Sequence, residues 1–379
     1  MRIALISDCY APRLGGIESQ VHDLAVQLDR AGHEVLVVTA TPVGPWAGAS
    51  AEISDGIRVV RLATPLPGAL PVNPMAGPAL RKIMAGADVV HIHTGVVSPF
   101  AQHAVVLAAR MDVPTTVTWH CMLNHAHWAF RFLPVMQWAG RRGVVMNTVS
   151  KLMARQIQSV LGDSADVHVL YNGIDLSDWR DIAAERLADP PTGEGPLSIV
   201  SARRLAPRKR NDTLIRIAVA AQQRSGRDLS LTIFGEGPER AKLERLAQHL
   251  EAPWVKLAGR VDRAGLRKAY READIYFSTS LMDSFGIATL EARTAGIPVV
   301  APKGTGVEDF ATHGVNALFG AGDRGLKDAL VEVITDDRLR VELGNANART
   351  VPSQDWESVT EATLAEYARA MAARPGHQR

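Results

Sequence analysis

The sequence predicts two α/β domains, each built on a parallel β-sheet that helices cover on both faces. Three observations lead to this prediction. The chain has 379 residues, and a single hydrophobic core rarely grows past roughly 250–300 residues. Short apolar, β-branched segments alternate with amphipathic segments of helical period. A segment rich in proline and glycine, residues 189–196, interrupts this alternation once, after which it starts again.

The first series of strand candidates consists of runs of Val, Ile or Leu bounded by turn residues. They are Ile3–Ser7, Val35–Thr39, Val59–Leu62, Val89–His93, Thr115–Thr118 and Val144–Val149. Helices are predicted between them. The clearest helix runs over Glu18–Ala31, where apolar side chains such as Leu24 and Leu28 recur at helical spacing.

The second series of strand candidates follows the interruption. It comprises Leu197–Ser201, Ser230–Phe234, Val255–Ala258, Ile275–Ser278 and Pro298–Ala301, and Trp356–Ala372 is predicted to be a helix. The predicted organisation is a first domain over residues 1–180, a linker over 181–196, a second domain over 197–355 and a terminal segment over 356–379. In doubly wound domains, ligands bind outside the carboxyl ends of the strands, so functional residues are expected there.

Composition and charge narrow the class of protein. The formal net charge is +2, which gives no reason to expect a nucleic-acid partner. Cys9 and Cys121 are the only cysteines, and two scattered thiols are typical of a reducing compartment. No apolar run approaches the roughly 20 residues that span a bilayer. The chain opens directly with a strand and shows no signal-peptide pattern, so a cytoplasmic enzyme is expected.

Two carboxylates, Asp283 and Glu291, stand on either side of Phe285 and Gly286. Asp283 follows a buried strand, and Glu291 lies within a short helix that must end before Pro298. The free N–H groups at the start of such a helix face an anion, and carboxylates accept hydrogen bonds from sugar hydroxyls. This segment therefore predicts a site for phosphate and for polyhydroxyl groups.

Two further segments follow predicted strands. Gly15 and Gly16 precede the first helix, where they either let a ligand approach the helix N-terminus or form an ordinary turn. Arg204 and Lys209 follow the first strand of the second series and either bind an anion or lie in a solvated loop. Arg203 is an alternative to Arg204, since neighbouring side chains leave a strand in opposite directions.

These segments resemble, in order, the motifs of the retaining glycosyltransferases of family 4. The pair of acids resembles the family's E-x7-E motif, with Asp283 in place of the first Glu. Matching segments include Pro12–Glu18, Tyr171–Asp175, Arg204–Lys209 and Phe234–Pro238. The resemblance covers nearly the whole chain. It implies the GT-B architecture, in which two Rossmann-like, doubly wound parallel-sheet domains face a cleft, and a terminal helix that crosses back to the first domain.

The resemblance also implies an activity. The chain would move a sugar from a nucleotide-diphosphate sugar, a UDP- or GDP-sugar, to a hydroxyl acceptor, with retention of configuration and without a metal ion. A lipid, a small polyol and a growing polysaccharide, such as a precursor of the cell envelope, all stay open as acceptors. Two alternatives stay open at this point. They are a catalytically weak, sugar-nucleotide-binding assembly subunit and a GT-B epimerase of nucleotide sugars.

Site residues follow from the resemblance, position by position. The implied catalytic residues are Arg204, Lys209, His120 and Asp283, and the implied donor-binding residues are Gly15, Gly16, Phe285, Gly286, Ile287 and Glu291. Glu291 would accept from the ribose hydroxyls and Asp283 from the hydroxyls of the donor sugar. Because Asp is one methylene shorter than Glu, the Asp283 carboxylate would sit roughly 1.5 Å farther back. This difference bears on the identity of the sugar.

Histidines and one mixed segment admit other interpretations. His120 could equally be a core histidine. The pairs His91/His93 and His125/His127 have a spacing compatible with a metal site, but the chain contains no Asp-x-Asp sequence, and no metal is expected.

Two segments and one loop are assigned to binding surfaces. Asn124, His125 and Trp128 are expected to shape the acceptor pocket. Phe130–Arg142 mixes large apolar groups with arginines. It either contacts an anionic membrane at its inner face or forms an ordinary helix over the sheet. The loop Gly304–Asp309 is expected near the nucleotide base, or is a simple turn.

Overall fold

The computed structural model describes residues 1–13, 15–44, 46–65, 70–123, 135–189 and 195–373. These residues separate into two units. The first comprises Met1–Gly173 together with the segment that begins at Gln354, and the second comprises Ile174–Ser353. No helix in the described part of the chain is long and apolar enough to cross a membrane.

The first unit is an α/β structure on a predominantly parallel sheet. Its described strands are β1 (Arg2–Ser7), β2 (Glu34–Thr39), β3 (Ser50–Ser54), β4 (Ile57–Arg61), β5 (Val89–Thr94), β6 (Thr115–Trp119), β7 (Val145–Thr148) and β8 (Val167–Val169). They are ordered β3-β4-β2-β1-β5-β6-β7-β8. Only the β3–β4 pair is antiparallel among the described strand pairs. The order of the parallel strands reverses between β1 and β5.

Helices cover this sheet through apolar faces. They are α1 (Gly16–Arg30), α2 (Gly77–Ala85), α3 (Pro99–Arg110), α4 (Val135–Arg141) and α5 (Lys151–Leu161). In α1, Val21, Leu24 and Leu28 are buried, and they pack with Ile3 and Leu5 of β1 in one apolar core. The predicted helix over Glu18–Ala31 is therefore confirmed with small shifts at both ends.

The second unit has a wholly parallel sheet. Its strands are β9 (Leu197–Ala202), β10 (Leu229–Phe234), β11 (Val255–Gly259), β12 (Ile275–Phe277), β13 (Val299–Pro302) and β14 (Ala317–Gly320). They are ordered β11-β10-β9-β12-β13-β14, the arrangement of dinucleotide-binding folds, which reverses direction between β9 and β12. The helices are α6 (Ser177–Ala188), α7 (Asn211–Ser225), α8 (Arg240–His249), α9 (Arg263–Arg271), α10 (Ile287–Thr294), α11 (Gly322–Thr335) and α12 (Asp337–Arg349). The predicted fold class, two Rossmann-like parallel-sheet domains, is confirmed.

Helix α6 occupies the first half of the predicted linker. Residues 181–188 are helical, and α6 belongs to the second unit. Its residues Trp179 and Ile182 are buried. Its acidic side chains meet the basic face of α9, where the ion pairs are Asp178–Arg263, Asp181–Arg267 and Glu185–Arg271. This packing explains why the helix continues past residue 180. The linker was predicted from proline and glycine content, which does not reveal a contact between two helices.

The terminal helix, α13 (Trp356–Ala372), belongs to the first unit. It packs against α1 and against strands β5, β6 and β7. Tyr367 is fully buried in the core formed with α1 and β1, and Glu366 accepts a 2.7 Å hydrogen bond from Nδ1 of His168 in β8. The last helix is thus an integral part of the first apolar core.

Gly173, the last residue of the first unit's main segment, is held by a two-way side-chain clamp. The Gln20 amide donates to the Gly173 carbonyl at 2.8 Å and accepts from its N–H at 2.9 Å. A Cβ at position 173 would lie 2.4 Å from Cε3 of Trp356. The indole ring therefore leaves room only for glycine.

We expect Gly173→Ala to destabilise the first unit by about 1–3 kcal/mol, because the added methyl overpacks a rigid ring and displaces the clamped backbone. The matched control is Gly48→Ala, since a Cβ at position 48 meets nothing within 4 Å. Urea unfolding monitored by tryptophan fluorescence measures both variants. Equal midpoints for Gly173→Ala and Gly48→Ala would show that the Trp356 contact does not constrain position 173.

Candidate functional site

The basic loop after β9 is fixed by contact between backbones. A Cβ on Gly235 would lie 1.9 Å from the carbonyl oxygen of Arg203, and one on Gly237 would lie 2.2 Å from that of Leu205. The Leu205 N–H donates to the Glu236 carbonyl at 2.9 Å. The glycine turn that follows β10 thus supports the basic loop from one side.

The two adjacent arginines at the end of β9 have different environments. Arg203 is half-buried, and its Nη1 donates to the Lys209 carbonyl at 2.9 Å and to Thr279 Oγ1 at 3.1 Å. Burial lowers the pKa of its guanidinium. Arg204 is exposed. Arg203 is therefore committed to holding the loop, whereas Arg204 is accessible to a ligand.

Lys209 and Asp283 meet although 74 residues separate them. Lys209 closes the short 3-10 helix Pro207–Lys209, and its Nζ lies 3.4 Å from Oδ1 of Asp283. Their side chains are 33% and 20% exposed, so the pair lies partly in solvent. The structure thus joins the basic loop after β9 to the acidic loop after β12, the two strands that flank the reversal point of the sheet.

The acidic loop is itself packed against the loop after β13. The Gly306 N–H donates to the Asp283 carbonyl at 3.0 Å, and a Cβ on Gly306 would lie 2.1 Å from the Ser284 carbonyl oxygen. Gly286 has φ +93 and opens α10. A left-handed residue at this position turns the chain abruptly into the helix, so that α10 begins at Ile287, a few residues after Asp283.

The remaining predicted donor residues lie in the same segment. The Phe285 side chain is buried and packs edge-on against Phe310, with ring centroids 5.4 Å apart. It can therefore serve a ligand only through its backbone. Ile287 is the first residue of α10, and Glu291 lies half-buried one turn later.

The loop Gly304–Asp309 is held in place by short-range hydrogen bonds. Thr305 is buried and donates to the Pro302 carbonyl at 3.2 Å, while Glu308 accepts from the Gly304 N–H at 2.6 Å. These bonds fix the loop that carries Gly306.

In the first unit, Gly15 caps α1 and Gly16 begins it. Gly15 has an extended backbone, and a Cβ there would lie 2.3 Å from Oε2 of Glu18. The Glu18 side chain is only 10% exposed and lies 3.5 Å from the Arg13 guanidinium. A side chain at position 15 would thus displace the Glu18 carboxylate, and both glycines are exposed to a ligand. Leu14, between Arg13 and Gly15, lies outside the described residues.

His120 ends a connected set of buried histidines on β5 and β6. Its Nε2 lies 3.0 Å from Nδ1 of His93, and His93 stacks on His91 with ring centroids 4.1 Å apart. The His91 ring is bonded on both sides, by the Tyr367 hydroxyl at 3.0 Å and by Thr118 Oγ1 at 2.8 Å. His91 and His93 are two residues apart on β5, so their side chains share one face of the strand, in agreement with this stacking.

Burial keeps these rings neutral. Desolvation lowers the pKa of His91 to about 3 and that of His120 to about 4. The pKa of His93 is also lowered well below its ordinary value, by desolvation first and by its two histidine neighbours second. At neutral pH, His120 therefore acts as a neutral hydrogen-bonding group.

Asp8, at the end of β1, was not among the predicted site residues. It accepts hydrogen bonds from the N–H groups of Phe100 and Ala101, at 3.0 and 3.1 Å, and thereby caps α3. Desolvation raises its pKa to about 6 in spite of these bonds. The sequence signal that could have identified Asp8 is an acidic residue directly after a predicted buried strand.

Part of the predicted acceptor region cannot be placed. Asn124, His125, His127 and Trp128 lie outside the described residues, as does the first part of the segment Phe130–Arg142. Its described part forms α4, in which Met136 and Ala139 are buried, and Arg142 lies over the Trp138 ring at 5.2 Å. Among the described residues, no three His, Cys, Asp or Glu side chains form a group able to hold a metal ion.

The predicted residues thus fall into two groups. Arg204, Lys209, Asp283, Phe285, Gly286, Ile287 and Glu291 follow β9 and β12 of the second unit. Gly15, Gly16 and His120 follow β1 and β6 of the first unit, on either side of the end of β5. Each group lies at the carboxyl end of its own sheet, where doubly wound domains bind ligands.

Two family models match parts of the chain. The family model described as Glycosyltransferase Family 4 matches residues 14–178, and the model described as Glycosyl transferases group 1 matches residues 185–350. Glycogen synthase of Mycobacterium tuberculosis is 29% identical to the chain, over 97% of this chain and 94% of the relative. A GDP-mannose-dependent alpha-(1-6)-phosphatidylinositol monomannoside mannosyltransferase of the same organism is also 29% identical, over 97% of this chain and 98% of the relative.

A solved structure shares the fold. Anabaena HepE, in complex with UDP and glucose, superimposes with a TM-score of 0.71 and 19% identity, over 97% of this chain and 99% of HepE. The chain belongs to the family-4 glycosyltransferases and has their GT-B fold. It is a glycosyltransferase, as the resemblance of its motifs implied.

We expect the histidine set to make the first unit sensitive to acid. In the unfolded chain a histidine has a pKa of about 6.5, whereas His120 and His91 bind protons in the folded state only at about 4 and 3. Below pH 6.5 the unfolded state therefore binds more protons, and stability falls as the pH falls towards 4. Replacing His91 by Asn should make this loss shallower.

Asp8→Asn is the control of opposite sign. The folded-state pKa of Asp8 is raised to about 6, so the folded state takes up this proton first, and the group favours folding as the pH falls from 6 to 4. Replacing Asp8 by Asn should make the loss of folding stability with falling pH steeper. Urea midpoints between pH 4 and 8 measure all three proteins. A parallel pH profile for wild type and His91→Asn would contradict the prediction.

Proposed function

We propose that the chain is a retaining glycosyltransferase that takes its sugar from a UDP- or GDP-sugar bound at the carboxyl end of the second sheet. The contact between Lys209 and Asp283 carries this proposal. It assembles a cation for a diphosphate and an acid for sugar hydroxyls beside the start of α10, three features that a nucleotide sugar needs together.

The diphosphate is assigned to Arg204, Lys209 and the N-terminus of α10. Negative charge on the leaving phosphate grows as the bond to the sugar breaks, so fixed cations stabilise the transition state more than the bound donor. Arg204 is exposed and Arg203 holds its loop in place. The backbone N–H groups from Gly286 and Ile287 onward add donors that need no side chain.

The sugar and the ribose are assigned to the two acids. Asp283 accepts from hydroxyls of the transferred sugar, and Glu291, one turn into α10, accepts from the ribose hydroxyls. The Phe285 backbone lies between these positions in sequence, beside the diphosphate. The loop around Gly306 lies against this segment and is assigned to the nucleotide base.

The transfer breaks the bond between the anomeric carbon and the phosphate oxygen. A bond forms on the same face between that carbon and the acceptor oxygen. The acceptor's proton passes to an oxygen of the leaving phosphate, so that charge and atoms balance without a protein nucleophile or a metal ion. In the first unit, Gly15 and Gly16 open the N-terminus of α1 to substrate, and His120 hydrogen-bonds to substrate as a neutral ring.

The relatives support the choice of donors and leave the acceptor broad. One relative is named for GDP-mannose and a phosphatidylinositol mannoside, another for glycogen, and HepE was solved with UDP and glucose. We assign this chain a hydroxyl acceptor on a lipid or on a polysaccharide precursor of the cell envelope. We assign the reaction to the cytoplasm, and for the segment Phe130–Arg142 contact with an anionic membrane stays an alternative to an ordinary helix over the sheet.

A thermal-shift screen with UDP, GDP and ADP, followed by their glucose and mannose conjugates, tests the proposal. A nucleotide at a hundred times its dissociation constant should add about 2.7 kcal/mol to the stability of the folded state. Transfer to a panel of acceptors then separates the activities. Binding without turnover would favour a binding subunit, and a changed sugar without transfer would favour an epimerase.

The two arginines provide a matched pair. We expect Arg204→Ala to leave the melting temperature within a degree or so and to lower kcat/KM by roughly 100-fold, the scale of one lost transition-state donor. Arg203→Ala should instead lower the melting temperature, because the Lys209 carbonyl and Thr279 lose their donor. Normal turnover in Arg204→Ala would remove that residue from the phosphate site.

The two acids should separate nucleotide binding from sugar recognition. We expect Glu291→Gln to weaken binding of the free nucleoside diphosphate by about 1.5–3 kcal/mol, the range for hydrogen bonds to charged groups. Asp283→Ala should keep that affinity or tighten it, since Lys209 loses its counter-ion, and should depress transfer.

The control is Asp283→Glu, which retains the charge and advances it by roughly 1.5 Å. It should change the ranking of donor sugars without changing the affinity for the free nucleotide. Calorimetry with UDP and GDP and kcat/KM over a donor panel measure these effects. Identical donor rankings for wild type and Asp283→Glu would exclude Asp283 as the residue that recognises the sugar.

A further inference from the structure

The hydrogen bond between His93 and His120 bears on which nitrogen of His120 carries its proton. Nδ1 of His93 lies 3.0 Å from Nε2 of His120, and both side chains are buried. One of the two nitrogens donates and the other accepts. Since each neutral imidazole has one donor and one acceptor, the direction of this bond fixes the tautomer of both rings.

The other nitrogen of His93 decides the direction. His93 Nε2 is buried and has no hydrogen-bond partner among the described residues. If His120 donated, the His93 proton would sit on Nε2, as a buried N–H without an acceptor. If His93 donates from Nδ1, Nε2 is only an unused lone pair. An orphaned buried N–H is the rarer and more costly of the two defects, so His93 donates and His120 accepts.

We propose that His93 is a positioning residue that holds His120 in the Nδ1–H tautomer, so that His120 presents a hydrogen-bond donor to substrate. The inference rests on the proposed function of His120 and adds its chemical role. With Nε2 engaged as an acceptor, the ring has no free basic nitrogen. His120 thus donates to an oxygen of the substrate and does not act as a general base.

The neighbours of His93 hold its ring in the orientation in which Nδ1 faces His120. His91 stacks on it at 4.1 Å, with an angle of 29° between the rings. His91 cannot rotate freely, because Tyr367 and Thr118 bond its two nitrogens. The stack also leaves His93 and His120 tilted by only 30° to one another, with centroids 5.2 Å apart. Tyr367 of α13, through His91, therefore helps to orient the ring that meets His120.

Two substitutions at position 93 differ in whether they offer a hydrogen-bond donor to Nε2 of His120. Asn places an amide donor close to where Nδ1 of histidine lies, whereas Phe retains a stacking ring but has no donor. His93→Asn should preserve the His120 tautomer. His93→Phe should leave Nε2 of His120 without a donor, so that this nitrogen becomes an unbonded lone pair.

Nitrogen-15 NMR of the histidine-labelled enzyme, without ligand, measures the tautomer directly. The His120 signals are assigned by difference with His120→Asn, since the chain has 12 histidines. We expect protonated Nδ1 and unprotonated Nε2 in the wild type and in His93→Asn, with the Nε2 signal of a nitrogen that accepts a hydrogen bond. In His93→Phe the Nε2 signal should move to that of a nitrogen that accepts none. A protonated Nε2 in the wild type, or the same Nε2 signal in His93→Phe as in the wild type, would overturn the proposal.

Kinetics distinguish failure of this inference from failure of the proposed function. With a UDP- or GDP-sugar that supports transfer, His93→Phe should lose roughly three- to tenfold in kcat/KM, the equivalent of one neutral hydrogen bond. His93→Asn should lose much less, and neither should change the affinity for UDP or GDP. A changed His120 Nε2 signal in His93→Phe with unchanged kcat/KM would overturn the positioning role alone. Absence of transfer in the wild type would contradict the proposed function and leave the NMR result to decide the tautomer.

Discussion

The close approach of loop backbones at the carboxyl end of the second sheet is the constraint on which the candidate site depends. Gly235 and Gly237 touch the carbonyl groups of the basic loop, and Gly306 touches that of the acidic loop, at distances that no side chain allows. Each loop is therefore placed by its neighbour. The contact between Lys209 and Asp283 results from this packing, since a partly exposed ion pair at 3.4 Å contributes little by itself.

The fold could largely be predicted from the sequence because buried parallel strands leave runs of Val and Ile. The elements that were not predicted lack this pattern. β3 alternates exposed and half-buried residues and forms a hairpin with β4 through Asp55 and Gly56, both at positive φ, a turn signal that was available in the sequence. β8 has three residues, all half-buried, and β14 has four residues, of which Phe319 is half-buried and the others are buried. Helix α6 was hidden because its partners, the arginines of α9, lie about 85 residues away.

The candidate site was predictable where chemistry and position coincide in one segment. Asp283, Gly286 and Glu291 are of this kind, and so are Arg204 and Lys209. The stacking of His91 on His93 also follows from their spacing on a strand. The bond from His91 to Tyr367, 276 residues away, and the burial of Phe285 against Phe310 arise from tertiary packing, which a local pattern does not contain.

The contribution of α13 to the first core sets an order of assembly during synthesis. The second unit, Ile174–Ser353, is synthesised before Tyr367, so the first unit stays incomplete until α13 has been made. Until α13 arrives, His91 lacks its hydroxyl partner and the helix's share of the apolar core is open to water. The amino-terminal unit thus begins to be made first and is completed last, and a nascent chain that stops before residue 356 leaves part of its apolar core exposed.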